Sequence, residues 1–506
     1  MIKDELKPSI KKNIVLNFIV QLICYISPLI VSPYLSRVLG AENIGIYSFS
    51  YSYAHYFFIF ASFGFINFGA KQISVCRDDF QKRNRIFWNV FFSRIVFVLI
   101  SIGVYLLLLF LNFFPNIDDF NVMLVFLLSI GSVVFDITYF FKGIEKINVI
   151  TLSTAIVNIL YVACIFLFVK SSNDLLLYTF LKTMSTSLIY YVLWIFAIKR
   201  ISKPIFSFKL CFNMIKGSFA FFLPSLVMSV SASIDQTLIG VFSTNVQVAF
   251  YQQSTKITSL LLSIITAISP VILSRISLLA KEKENNIQTI KSLTAKSILL
   301  SIVILIPLIV GLYVTGSRFI ELYFGDEFAD AVFVFYWLLP NSIISAISLL
   351  IITAHYYPTG RTKKVTIFIF ISILINIGLT ILLLNITTLG AVAAAIASLV
   401  ANVFVLIVIF YGGRESINLQ IVLSDGWKIL LSAFAIAAVL VPLNLLVLYP
   451  RIDNYLITIL IDVGLGGFIY IALLLILKEH ILSECIRKAL SYIFKKGKGN
   501  NASKID

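Results

Sequence analysis

The chain has 506 residues, of which 59% are hydrophobic and only 13% charged, with mean hydropathy +0.99 and formal net charge +16. A water-soluble domain carries about 25% charged residues, so this composition excludes a soluble globular protein. The absence of alternating, period-two apolar patterning excludes a membrane barrel.

A bilayer core about 30 Å thick is crossed by roughly 20 apolar residues in a helix. Inside hydrocarbon the backbone must satisfy its own hydrogen bonds, which makes each such run a helix. In chain order the predicted spans lie at about 13–35, 44–66, 87–111, 121–141, 149–169, 175–197, 215–241, 247–272, 296–316, 331–354, 364–385, 389–411, 427–448 and 455–477. The expected fold class is therefore all-α and polytopic, with about 14 transmembrane helices. The first span follows "MIKDELKPSIKK", is too long for a signal-peptide core, and has no small-residue cleavage site behind it, so it is expected to be retained. Prolines inside the spans (Pro28, Pro33, Pro224, Pro270, Pro307, Pro340 and Pro442) remove helix donors and favour bends.

Charge sets the orientation. With both termini cytoplasmic, the inner segments hold 33 Lys+Arg and 12 Asp+Glu, and the outer loops hold 4 and 9. The basic face then meets anionic lipid, and nucleic acid is not needed as a partner. The longest loops, near 70–86 and 273–295, fall on that inner side and read as solvated basic loops. Outer loops are short, leaving no room for a soluble domain or for acceptor chemistry at the surface. Cys24, Cys76, Cys164, Cys211 and Cys485 form no CxxC or Cys/His cluster, so neither a metal nor a disulfide frame is expected. No P-loop, GxSxG or HExxH occurs, so no cofactor and no enzymatic activity are expected.

The chain repeats itself. "LGAENIGIYSFSYSYA" at span 2 matches "FSTNVQVAFYQQSTKI" at span 8, pairing Tyr47 with Tyr251. "YFFKGIEK" after span 4 matches "YYPTGRTKK" after span 10, pairing Gly143 with Gly360. Both matches keep the same orientation, which predicts two parallel six-helix lobes, as in transporters that alternate access. The lobes are placed at 1–210 and 211–412, with two additional helices and a basic cytoplasmic tail at 413–506.

Few charges lie inside spans, where each costs about 2.5–3.5 kcal/mol. The bases are Arg94, Lys182 and Lys256, and the acids Asp136, Asp235 and Asp462. His55 sits halfway through span 2, with Arg37 at an outer mouth and Lys71, Arg275 and His355 at inner mouths. Two readings stand side by side. The three acids and three bases neutralise one another as buried pairs, or Arg37, Lys71, Arg94, Lys182, Lys256 and Arg275 line a cationic path between the lobes for an anionic group. Phosphate or diphosphate suits Arg and Lys donors. His55 and Asp235 are candidates for coupling a proton or sodium ion to that movement, and for His55 an ordinary hydrogen-bonded histidine is the plainer alternative.

"PYLSRVLGAENIGIYSFSYSYAHYF", then "FGFINFGAKQIS" with its following "RDD", and "DQTLIGVFSTNVQVAFYQQSTKI" resemble the two lobe starts of the Wzx-like polysaccharide repeat-unit (O-antigen or capsule) flippases. These belong to the multidrug/oligosaccharidyl-lipid/polysaccharide exporter superfamily. The resemblance puts Arg37 and Lys71 in first-lobe motifs, and Asp235 and Lys256 in the second-lobe motif. Lysine stands at 71 where arginine is commoner in the family. The resemblance implies a bacterial inner-membrane transporter that flips undecaprenyl-diphosphate-linked oligosaccharide from the inner to the outer leaflet, coupled to a proton or sodium gradient. Its partners would be membrane lipids and other polysaccharide assembly proteins. A lipid II flippase, a drug or cation exporter of the same superfamily, and a membrane polysaccharide polymerase are the alternatives.

Overall fold

A computed structural model of the chain describes residues 10–114, 119–281 and 287–479. The basic tail, Cys485, the extreme N-terminal segment and the centre of the 273–295 loop lie outside the described residues. So does the Cys24 side chain. Within them the protein is helical, without strands. The helices are α1 (Ile10–Ser62), α2 (Phe65–Val75), α3 (Phe80–Phe110), α4 (Phe120–Ser132), α5 (Thr138–Gly143), α6 (Ile147–Phe168), α7 (Leu175–Ala197) and α8 (Phe208–Phe242). They continue with α9 (Asn245–Lys281), α10 (Ile287–Phe324), α11 (Ala331–Ile351), α12 (Thr362–Ile386), α13 (Ala391–Gly413), α14 (Leu419–Leu443), the short α15 (Tyr449–Arg451) and α16 (Tyr455–Ile476).

Among the described residues, 12 helical segments are long and apolar enough to cross a membrane. The first, Ile26–Val75, runs for 50 residues, long enough for two crossings. It is interrupted at Gly40, whose φ of 80° and ψ of 171° leave the helical region and are open to glycine alone. The expected first and second spans meet at that break. α9 is not among the 12 but covers the expected eighth span.

Capping residues fix several helix starts. Asp79, Asp119 and Asn454 accept backbone N–H bonds from the first turns of α3, α4 and α16. The fourth expected span is not one continuous helix. It breaks into α4, a 3-10 turn at Val133–Phe135, and α5. At the break the Asp136 carboxylate accepts the Thr138 N–H at 2.9 Å, holding the chain in a turn that a helix cannot adopt.

Contacts divide the chain into two compact units, Met1–Gln253 with Ile377–Ala394, and Ser254–Asn376 with Ala395–Asp506. The first is packed around aromatic side chains from α1, α2, α3, α5, α7 and α8, including Phe63, Phe65, Phe87, Phe140 and Phe141. In the second, Leu299 of α10 meets Ile429, Ile436 and Leu440 of α14 and Leu474 of α16, so the last two spanning helices pack on α10. Lipid tails are as apolar as leucine, so close dispersion contacts hold such helices together.

The internal repeat appears in local geometry. The turn after α5 has Lys146 N–H bonded to Phe141 O at 2.9 Å and Glu145 N–H to Lys142 O at 3.1 Å. The turn before α12 has Arg361 N–H bonded to Tyr356 O at 2.9 Å and Gly360 N–H to Tyr357 O at 3.1 Å. Both are the same helix-ending motif, closed by a left-handed residue. Glu145 (φ 57°) therefore corresponds to Gly360 (φ 68°), which corrects the expected pairing with Gly143 by two residues. Backbone handedness sets the register here, and glycine identity does not. A second correspondence keeps the expected register of 204. The Asn43 amide donates to the Ser172 carbonyl at 2.9 Å, at the entry to α7, and Gln247 Oε1 accepts from Ala391 N–H at 2.8 Å, at the first residue of α13.

Candidate functional site

In the first unit the second half of α1 presents Tyr47, Tyr51 and His55 at four-residue intervals, which places them on one helix face. Tyr47 and Tyr51 lie 6.1 Å apart and His55 stacks on Tyr51 at 5.3 Å, centroid to centroid. Tyr178 of α7 meets Tyr47 at 4.8 Å. Phe126 of α4 closes the wall against both tyrosines, at 5.7 and 5.9 Å. One turn beyond Tyr178, Lys182 holds its ammonium 4.7 Å from the ring centroid of Tyr161 on α6. Tyr161 is itself a neighbour of Tyr178 and Tyr47. A line of aromatic faces thus runs from His55 to the half-buried Lys182. Tyr51 is its open member, 39% exposed, whereas Tyr47 is buried.

This grouping joins two residues expected from the sequence, His55 and Lys182, through aromatic residues of which only Tyr47 stood out there, as a marker of the repeat. The signal for Tyr47 and Tyr51 was their four-residue spacing to His55, and for Tyr178 the same spacing to Lys182. Tyr161 comes from a separate helix and had no such signal. Chemically the array offers ring faces and one ammonium. A cation over an aromatic face is worth about 2 kcal/mol or more when desolvated, and the ammonium keeps three donors for an anionic oxygen.

On its other side the same half of α1 joins α8 by polar bonds. His55 Nδ1 lies 2.7 Å from Ser233 Oγ. Tyr56 Oη lies 2.8 Å from Thr237 Oγ1, which is 2.9 Å from Ser52 Oγ. Ser233 and Thr237 are one turn apart, so a single face of α8 makes both bonds. Asp235, between them, turns away and accepts the Tyr251 hydroxyl at 2.5 Å. Earlier in α1, Ser32 donates to Gln253 Oε1 and Gln253 Nε2 donates to Ser36 Oγ, each at 2.8 Å. Gln253 was not anticipated.

Arg94 is placed differently. It is 1% exposed, donates to the carbonyls of Val133 and Asp136, and stacks over Tyr139 at 5.2 Å. It therefore supplies donors to the broken span between α4 and α5, bonding the Asp136 carbonyl and adding to the Asp136 N–H that the Val133 carbonyl accepts at 3.1 Å. Among the described residues no carboxylate oxygen bonds it, and the Asp136 carboxylate accepts the Thr138 N–H. Arg37 and Lys71 are exposed on α1 and α2. In the second unit Lys256 is half-buried on α9 and Arg275 exposed on the same helix. Arg318 of α10 was not anticipated. Its guanidinium lies 3.9 Å from the Tyr449 ring centroid and donates to the Ile452 carbonyl at 2.9 Å and the Thr458 hydroxyl at 3.1 Å. No group of three or more His, Cys, Asp or Glu that could hold a metal ion occurs among the described residues.

Residues 10–279 match the model of the family described as "Polysaccharide biosynthesis protein", and the chain belongs to that family. Among curated relatives, the "Putative O-antigen transporter" of Escherichia coli (strain K12) is 27% identical over 414 residues, covering 78% of this chain and 94% of the relative. The "Probable low-salt glycan biosynthesis flippase Agl15" of Haloferax volcanii is 25% identical over 172 residues, 33% of this chain and 35% of the relative. Among solved structures, "Lipid II flippase MurJ, inward closed conformation" superposes with a TM-score of 0.74 at 17% identity, covering 93% of this chain and all of that one. The last similarity establishes the fold. The chain is a multi-pass membrane protein whose relatives are named as transporters and flippases.

Proposed function

We propose that this protein flips an undecaprenyl-diphosphate-linked oligosaccharide repeat unit from the inner to the outer leaflet of the bacterial inner membrane by alternating access. One observation carries the reading. Lys182 is held against Tyr161 at the end of an aromatic wall inside an apolar bundle. Among the described residues no carboxylate pairs with it, so its charge is available to a ligand. An ammonium beside ring faces fits a substrate that carries phosphate and sugar together. Phosphate takes charge-assisted hydrogen bonds, and sugar C–H faces lie against aromatic rings. An exporter of organic cations would place acids there instead.

Both termini lie on the cytoplasmic side in this reading, since 33 of 40 Lys+Arg then fall inside. The exposed Arg37, Lys71 and Arg275 attract the headgroup at the mouths, with Lys256 on its route. The prenyl chain stays in lipid while the headgroup moves. Direction comes from a proton or sodium gradient acting through His55 or Asp235. No covalent step is involved. Other polysaccharide assembly proteins stand on either side of this step as partners.

The test is reconstitution into liposomes with a fluorescent undecaprenyl-diphosphate oligosaccharide, following its arrival in the opposite leaflet. Wild-type protein should accelerate this transfer, and Lys182→Ala should slow it at equal reconstituted amounts. A wild-type preparation that leaves the transfer at the rate of empty vesicles overturns the reading.

A further inference from the structure

The last two spanning helices hold a buried acid that the transport reading does not use. Asp462 of α16 is 3% exposed and Asn444, the first residue after α14, is 2% exposed. Asn444 Nδ2 donates to Asp462 Oδ2 at 3.0 Å. The other oxygen of each group, Asp462 Oδ1 and Asn444 Oδ1, is buried with no hydrogen-bond partner. Two unpartnered acceptors on a single bonded pair call for one donor. Asn444 also opens a π-helical segment, Asn444–Leu448. Such segments are rare and recur at functional sites.

The surroundings limit what that donor is. α10 and α14 pack against α16. The charge that acts on Asp462 comes from Arg318 of α10, but that guanidinium is held by the Tyr449 and Ile452 carbonyls, the Thr458 hydroxyl and two tyrosine rings. Tyr449, a phenol on which the Asp462 charge acts, donates to the Val314 carbonyl at 3.3 Å. Three other buried acids have donors of other kinds. Asp425 pairs with Lys428 at 2.6 Å, Asp136 takes a backbone N–H, and Asp235 takes a tyrosine hydroxyl. A metal ion would need several oxygens, and only two are unused here. A proton needs two.

We propose that Asp462 and Asn444 form a proton-binding site, an acid–amide pair in which protonated Asp462 Oδ1 donates to Asn444 Oδ1 while Asn444 Nδ2 donates to Asp462 Oδ2. The single proton satisfies both orphaned oxygens and removes a charge that is costly inside a bilayer. Release of the proton leaves a carboxylate beside a carbonyl oxygen, a repulsive arrangement that separates α16 from the π-segment. The pair is therefore a proton-controlled latch between α14 and α16.

Infrared difference spectroscopy of the purified full-length protein tests this without any transport assay, so it stands or falls separately from the flippase reading. At neutral pH the wild type should show a carbonyl band of a protonated carboxylic acid, insensitive to sodium. Asp462→Asn should delete that band, and Asn444→Leu should shift it upward in frequency by removing its acceptor. A wild type with no such band overturns the proposal, as does a band retained in Asp462→Asn. Loss of the band on adding sodium at constant pH overturns it in favour of a cation site. If Asp462→Asn does not fold, an unshifted band in Asn444→Leu is sufficient to reject the pair.

Discussion

His55 Nδ1 lies 2.7 Å from the Ser233 hydroxyl, and on its other side the His55 ring stacks on Tyr51. One imidazole thus ties α8 to the aromatic wall that leads to Lys182. Replacing His55 by Gln keeps a polar group and removes titration. The flipping rate of His55→Gln should lose its dependence on pH between about 5 and 8, the range in which imidazole changes charge. Rates measured in liposomes across that range decide it. A profile that bends as in the wild type removes His55 from coupling and leaves it a structural histidine.

Lys182 should separate charge from packing. Lys182→Arg keeps a cation over Tyr161 and should retain most of the rate. Lys182→Met keeps the aliphatic stem and should lower the rate about 10-fold or more, the effect of losing one charge-assisted contact of roughly 1.5–3 kcal/mol. Tyr161→Leu removes the ring beneath the ammonium and should fall between the two. The measurement is initial rate against substrate concentration. Equal rates for all three variants would mean that the headgroup does not pass Lys182.

Arg94 should behave as a structural residue. Its donors serve the Val133 and Asp136 carbonyls at the broken span. Arg94→Ala leaves the Asp136 carbonyl without this donor in a dry core, at about 1–3 kcal/mol, while the Val133 carbonyl keeps the Asp136 N–H. The expected outcome is a lowered thermal midpoint in detergent and reduced abundance, with residual flipping per folded molecule near normal. Both bonds come from one nitrogen, Nη1, so Arg94→Lys, with three donors on a shorter stem, should rescue part of the loss. A normal midpoint with impaired flipping would instead return Arg94 to the substrate path.

The helical plan was legible because bilayer thickness imposes a length and hydrocarbon imposes a helix. Each expected span falls on helical structure, and the break between the first two falls at Gly40, a residue able to adopt it. The interruption of the fourth span was not legible. It depends on Arg94, some forty residues earlier in the chain, reaching carbonyls at Val133 and Asp136, and no local propensity encodes that contact. The site was legible by halves. Isolated charges in apolar sequence stand out, so His55 and Lys182 were visible. Tyr161 was hidden among 23 tyrosines, since only packing of α6 against α7 brings it beside Lys182 and Tyr178. Asp462 was visible as a buried acid, but its partner Asn444 was not, because asparagine in an apolar segment carries no charge to mark it.

Three positions test the backbone geometry on which both repeats rest. Gly45 has no room for a side chain, since a Cβ there would come within 1.9 Å of the Asn245 carbonyl oxygen. Gly45→Ala must separate the second half of α1 from the start of α9, and should lower stability by several kcal/mol, as overpacking against rigid backbone does. Gly360 has open space around it but a φ of 68°. Gly360→Ala should cost only about 1 kcal/mol, the penalty of a left-handed alanine. Glu145 already bears that penalty at φ 57°, and its carboxylate bonds the exposed Arg77 at 2.5 Å. Glu145→Gly relieves the backbone and loses a surface ion pair worth at most about 1 kcal/mol, so its midpoint should stay close to the wild type. Made in an Arg77→Ala background, where the ion pair is already absent, Glu145→Gly should raise the midpoint. Thermal unfolding of the set gives the order Gly45→Ala, then Gly360→Ala, then Glu145→Gly in decreasing harm. If Glu145→Gly proves as damaging as Gly360→Ala, the two turns are not equivalent, and the register assigned to the repeat from their shared hydrogen bonds is wrong.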